Sequence, residues 1–226
     1  MKRLLIANRG EIAIRIARSA KDLGIKTIGI YSEDDVNSLH LSKMDDNYLL
    51  KGKGAAAYLD IKKIISVAKE CKAEAIHPGY GFLSENPSLA REAKKNRICF
   101  IGPEEKTLKL FSNKVKAKEL ALKENVPVIK GTNQKTSVKE AEKFFKSLKK
   151  GSGIIIKAIA GGGGRGMRVV NSSKDLKDSI KRASSEAQKA LGSSDLYFEE
   201  YLKNYRHVEI QIIGDGTGSV SHLWDR

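Results

Sequence analysis

Two apolar runs, Lys2 to Ala7 and Lys26 to Tyr31, flank a stretch in which Ile12, Ile16, Ala20 and Leu23 recur at helical spacing. A strand, a helix from Glu11 to Leu23 stopped by Gly24, and a second strand make a β-α-β unit. Such a unit commits a chain to a parallel sheet covered by helices. The turn after the first strand, Asn8-Arg9-Gly10, lacks G-x-G-x-x-G, so a dinucleotide site has weak support. The acids after the second strand, Glu33, Asp34 and Asp35, read as a helix cap or a loop.

The pattern continues with a short strand from Tyr48 to Leu50 and a helix capped by Asp60 that runs to about Cys71. Ile61, Ile64, Ile65 and Ala68 are its inward face. The strand from Ala73 to Ile76 leads into His77-Pro78-Gly79-Tyr80-Gly81-Phe82-Leu83-Ser84-Glu85-Asn86. Open α/β sheets bind ligands at such strand ends, which makes this loop a candidate site edge. The plainer reading is a rigid connector, with Pro78, Gly79 and Gly81 setting turns while Tyr80 and Phe82 pack. Pro87 opens a helix to Asn96, and Ile98 to Ile101 is the last strand before Gly102-Pro103.

Near residue 112 the pattern changes. Asn113 to Glu124 is a lysine-rich helix, Gly131 to Thr136 a polar linker, and Ser137 to Leu148 an amphipathic helix. Ile154 to Lys157 and Met167 to Val170 are apolar strands joined by Gly161 to Gly164, Arg165 and Gly166. That is a β-hairpin with a glycine tip. The tip is either a flexible turn beside a surface lysine or a cradle whose unhindered N–H groups wrap a phosphate. It is not the G-x-x-x-x-G-K-[ST] loop, since no Lys-Ser/Thr follows and the next segment reads as strand. A helix capped by Ser172 or Ser173 runs to about Leu191, then a strand from Leu196 to Tyr201. From His207 to Ile213, Val208, Ile210 and Ile212 alternate with His207, Glu209 and Gln211, and Ser219 to Trp224 pairs back.

Charge narrows the function classes. Lys and Arg number 42 against 27 Asp and Glu, a net +15, which favours anionic ligands. The lysines are spread over most helices and aromatics are 6%, so stacking platforms for nucleic acid are scarce and no nucleic-acid role is expected. Leu4 to Ala7 is too short for a signal peptide or membrane span. Cys71 and Cys99 have no C-x-x-C spacing and suit core positions in a reducing, cytoplasmic setting.

Five motifs in register resemble the biotin carboxylase family from Arg3 to Arg226. They are Ile6-Ala7-Asn8-Arg9-Gly10-Glu11-Ile12-Ala13, the loop from His77 to Asn86, Phe100-Ile101-Gly102-Pro103, Lys157-Ala158 with GGGGRGMR, and Arg206-His207-Val208-Glu209-Ile210-Gln211. The resemblance implies an α/β chain: a Rossmann-like parallel domain over 1–112, then the first part of an ATP-grasp domain over 113–226 with a lid at about 132–199. It implies that Lys114 and Lys157 hold ATP phosphates and that Gly163 and Gly164 cover them. Glu199, Glu200, Tyr201 and Leu202 would form the hinge strand against the adenine, and His207 would reach the ribose side. The implied reaction is ATP- and bicarbonate-dependent carboxylation of biotin on a carrier protein through carboxyphosphate, the first step of acetyl-CoA or related carboxylation. Mg2+ or Mn2+, the biotin carboxyl carrier protein, a carboxyltransferase subunit and a homodimer come with it. The catalytic residues and metal ligands are expected beyond Arg226, so the chain is expected to be inactive alone. The alternative is a non-catalytic ATP-binding or interaction module, and carbamoyl-phosphate synthase is a further ATP-grasp rival.

Overall fold

The computed structural model describes residues 1–132, 135–159 and 167–225. The chain divides into two compact units, Met1–Ala117 and Lys118–Arg226.

In the first unit, β1 (Arg3–Ile6), α1 (Gly10–Asp22) and β2 (Lys26–Ser32) form the expected β-α-β, with Leu5 opposite Ile28 in parallel register. β3 (Asp46–Leu50), α2 (Gly54–Tyr58), α3 (Ile61–Glu70), β4 (Ala75–His77), α4 (Pro87–Lys95) and β5 (Cys99–Phe100) complete a sheet of order β3-β2-β1-β4-β5, parallel throughout. β1 is central and buried on both faces. Leu5 joins one core with Ile28, Ile64 and Leu89, while Leu4 and Ile6 pack on Ala13, Ile16 and Ala17 of α1. That is why β1 reads as an unbroken apolar run rather than an alternation. Asp60 caps α3 by accepting from Lys63 N, and Asn86 caps α4 behind Pro87. Two short elements, a 3-10 turn at Leu39–Lys43 and α2, were not foreseeable from apolar repeats, and neither was α5 (Glu105–Ser112). Cys71 is buried as expected, but Cys99 is exposed, because β5 is a two-residue edge strand rather than a core strand.

The acids after β2 are loop residues, and Asp35 organises them. Arg9 Nη1 donates to both its oxygens at 3.1 and 2.9 Å, and Tyr58 Oη donates at 2.7 Å. Arg9 also lies over the rings of Tyr58 and Phe82, 5.6 and 5.9 Å from their centroids. Those rings stack at 5.2 Å. Burial pushes the Asp35 carboxyl up, but bonds from Tyr58, Arg9 and Ser38 outweigh it and hold the group at about 2. Burial and the Asp35 bond push the Tyr58 phenol up to about 12. Asn8 Nδ2 donates to Pro78 O and Tyr80 O at 2.7 and 2.8 Å. The Asn-Arg-Gly turn thus holds the His77–Asn86 loop in place, at the β1–β4 point where the strand order reverses.

The division between units falls within α6 (Lys114–Lys123). In the second unit, α7 (Val138–Ser147) starts at a capping box, with Ser137 Oγ accepting from Glu140 N and Glu140 accepting from Ser137 N. β6 (Gly153–Ala158) and β7 (Arg168–Val170) form the expected antiparallel hairpin, Ile154 opposite Val170. Its glycine tip lies outside the described residues. α8 (Leu176–Leu191) follows a 3-10 turn capped by Ser172, and β8 (Leu196–Tyr201) pairs with the other edge of β6. Ile154, Ile156, Ala158, Leu196 and Phe198 face a core completed by Ala141 of α7 and Ile180, Ala183 and Ala187 of α8. β9 (Ile210–Gly214) and β10 (Val220–Asp225) pair as a hairpin. The strand begins at Ile210 rather than His207, and every residue of both strands is exposed, so the alternation there has no buried face among the described residues.

Two stability effects follow from the first unit. Gly79 sits at φ +65°, and a Cβ there would stand 2.7 Å from Asn8 Nδ2. Gly79→Ala is expected to cost about 1–3 kcal/mol in urea unfolding; an unchanged midpoint would show that the Asn8 bonds do not hold the loop. The folded pKa of Asp35 lies below the ordinary carboxylate value, so its stabilisation is present above pH ~4 and is lost as pH falls towards 2. With Arg9 partly exposed, that stabilisation is on the order of 1 kcal/mol. Asp35→Asn should lower stability at pH 6 and flatten its fall between pH 5 and 2. Parallel pH profiles for the two proteins would contradict this.

Candidate nucleotide site

The antiparallel β6–β8 register decides which side chains meet. Lys157 lies opposite Tyr197, and Ile155 opposite Glu199. Successive strand residues alternate faces, so Ile155, Lys157, Tyr197, Glu199 and Tyr201 share the face turned away from the core. Lys157 and Glu199 are diagonal neighbours on that face, within reach of long side chains. Lys157 Nζ donates to Glu199 Oε2 at 2.6 Å. The other carboxylate oxygen, Oε1, is 3.8 Å from Lys118 Nζ. All three side chains are largely covered: 24% of Lys157, 15% of Glu199 and 13% of Lys118 remains exposed. Beside them the Tyr197 phenol is pushed up to about 12 by burial and by the Glu199 charge.

One carboxylate thus stands between two ammonium groups, leaving one positive charge over. An incompletely neutralised positive cluster with little solvent favours an anion. The Lys118 Nζ atom is buried and has no hydrogen-bond partner among the described residues. Gly131 makes the approach possible. It bridges to Glu199 as an antiparallel partner. A Cβ on Gly131 would stand 2.5 Å from Phe198 O, 2.9 Å from Glu199 Cγ and 2.9 Å from Lys118 Nζ. Thr132 N donates to Phe198 O at 2.8 Å and Glu200 N to Lys130 O at 2.9 Å, so residues 130–132 run along the second edge of β8.

The other expected site residues fall into separate places. Glu200 is on the opposite face from Glu199 and accepts from Ser152 Oγ at 3.1 Å. Glu200, Tyr201 and Leu202 line a cavity of about 370 Å³ with Lys149, Lys150 and Lys203, which neither Lys157 nor Glu199 lines. Lys114 is the first residue of α6, in the other compact unit from Lys157. His207 is exposed, with Nε2 3.5 Å from Glu209 Oε1. Gly163 and Gly164 lie outside the described residues. Sequence reasoning missed Lys118 and Gly131. Lys118 stands one helical turn after Lys114, a weak signal in a helix so rich in lysine, and Gly131 reads as linker. Among the described residues no helix is long and apolar enough to cross a membrane.

Residues 1–108 match the family model for the biotin carboxylase N-terminal domain. Residues 113–226 match that for the ATP-binding domain of the carbamoyl-phosphate synthase L chain. Pyruvate carboxylase of Staphylococcus aureus is 48% identical over 228 residues, covering 100% of this chain and 20% of the relative. Mitochondrial pyruvate carboxylase of Homo sapiens is 45% identical over 230 residues, covering 100% and 19%. The chain therefore spans about a fifth of the length of these relatives. Among solved structures, Campylobacter jejuni biotin carboxylase in a β,γ-ATP complex superposes with TM-score 0.91 at 44% identity, covering 99% of this chain and 50% of that one. The biotin carboxylase domain dimer of Hydrogenobacter thermophilus 2-oxoglutarate carboxylase, solved with MgADP, ADP and bicarbonate, gives 0.89 at 40% identity, covering 99% and 49%. With its parallel α/β unit, its glycine hairpin strands and these matches in order along the chain, this protein belongs to the biotin carboxylase family.

Proposed function

We propose that the chain supplies the nucleotide-binding part of an ATP- and bicarbonate-dependent biotin carboxylase, which carboxylates biotin on a carrier protein. The observation that carries this reading is the Lys157–Glu199–Lys118 cluster on the face of β6 and β8 turned away from the core, with one unbalanced positive charge. In this reading Lys157 turns from Glu199 to a nucleotide phosphate, where an ammonium acts as a point charge. Lys114 adds a second. The glycine tip, with Gly163 and Gly164, covers the phosphates through backbone N–H groups. The end of β8 from Glu199 to Tyr201 and the following Leu202 lie against the adenine, and His207 serves the ribose side. A lid over about 132–199, within an ATP-grasp domain over 113–226, excludes water from the reacting phosphate.

A divalent cation, Mg2+ or Mn2+, would accompany the nucleotide in this reading. Among the described residues no group of three or more His, Cys, Asp or Glu is gathered as a ligand set, so no step is routed through a metal. The names of the relatives favour a 2-oxo acid such as pyruvate as final carboxyl acceptor over the acetyl-CoA suggested by the sequence. A cytoplasmic location, a carrier protein, a carboxyltransferase and a homodimer complete the proposal, and the dimeric relative supports the homodimer alone.

Lys157→Ala removes a charge-assisted bond to phosphate worth about 1.5–3 kcal/mol, so ATP should bind about 10- to 100-fold more weakly by calorimetry. Equal affinity of the two proteins, or no ATP binding by the unaltered chain, would overturn the nucleotide reading. ATP binding that depends on Lys157 without bicarbonate-dependent ADP release would assign this chain a binding role alone.

A further inference from the structure

The reading above gives Lys118 no contact of its own with the nucleotide, yet it is the most enclosed member of the cluster. Its ammonium carries three donors, none used among the described residues, and faces Glu199 Oε1 at 3.8 Å. Gly131 leaves the space it occupies. A largely buried carboxylate that loses its only close partner is costly and moves. Glu199 would meet that situation whenever Lys157 leaves its 2.6 Å bond for a phosphate.

We propose that Lys118 is a positioning residue for Glu199, taking over the carboxylate when Lys157 turns to the nucleotide. This rests on the nucleotide reading of the same face. Closing the 3.8 Å gap by about an ångström turns a loose ion pair into a charge-assisted hydrogen bond. Glu199 then stays in register on β8 with its neighbours along the base, while Lys157 is free for the phosphates. The carboxylate is handed from one lysine to the other, so the cluster never holds a buried carboxylate without a cation.

The test titrates ATP and inorganic tripolyphosphate into the chain and its Lys118→Met and Lys118→Arg variants by calorimetry, after thermal unfolding has shown each to be folded. Lys118→Met should weaken both ATP and tripolyphosphate about tenfold, because either one draws Lys157 away from Glu199 and leaves the carboxylate without a cation. Lys118→Arg should restore most of the loss. In a Glu199→Gln background Lys118→Met should cost ATP less than about twofold, since the partner it positions is already neutral. Lys118→Gln is the second variant if Lys118→Met unfolds, with the same losses expected. Unchanged ATP affinity, a loss for ATP with tripolyphosphate unaffected, or a full loss that persists beside Glu199→Gln would overturn the proposal. If the unaltered chain binds neither ligand, the nucleotide reading fails and takes this one with it. If it binds ATP and Lys118→Met is indistinguishable, only this inference fails.

Discussion

The second unit depends on the pairing of β6 with β8. That register buries Ile154, Ile156, Ala158, Leu196 and Phe198 on one face and leaves Lys157 and Glu199 as diagonal neighbours on the other. A slip of one residue would send the whole apolar set outward and the charges inward. The buried face, with α7 and α8 behind it, is therefore what holds the charged face in position. The energetics of the core and the chemistry of the site are two faces of one ladder. Gly131 adds a third constraint, because only a residue without Cβ lets the neighbouring segment lie against β8 beneath Lys118.

The first unit is organised in the same manner around a short turn. Asn8 and Arg9 follow directly from the central strand and reach the loop after β4 by two carbonyl bonds and a guanidinium stacked on two rings. Asp35 completes the arrangement by holding Arg9 and Tyr58 together. Two motifs far apart in the chain are thus one piece of structure. Its position at the carboxyl ends of parallel strands is where folds of this type offer a ligand crevice.

Much of this was legible in the sequence. The helical spacing of Ile12, Ile16 and Ala20 between apolar runs foretold the parallel sheet, and the two runs around the glycines foretold the hairpin. The cap at Asp60 and the helix start at Pro87 follow from chemistry that is local in sequence. What stayed hidden was long-range. Nothing near Lys118 distinguishes it from Lys116 or Lys123, since its meaning comes from Glu199, which folding brings beside it. Glu199 and Glu200 look alike in sequence, and strand alternation sends one to Lys157 and the other to Ser152. Cys99 looked like a core residue because the short apolar run around it does not reveal that the strand is an edge. Short helices such as α2 escape because so few residues carry no period.

The central claim is that the face of β6 and β8 carrying Lys157 and Glu199 receives a nucleotide. Amide chemical shifts of this chain recorded while ATP is titrated test it most directly. The account predicts saturable changes concentrated in residues 154–158, 130–132 and 196–202. Saturable changes confined to the Asn8 turn and the loop after β4, or no saturable change anywhere, would contradict it.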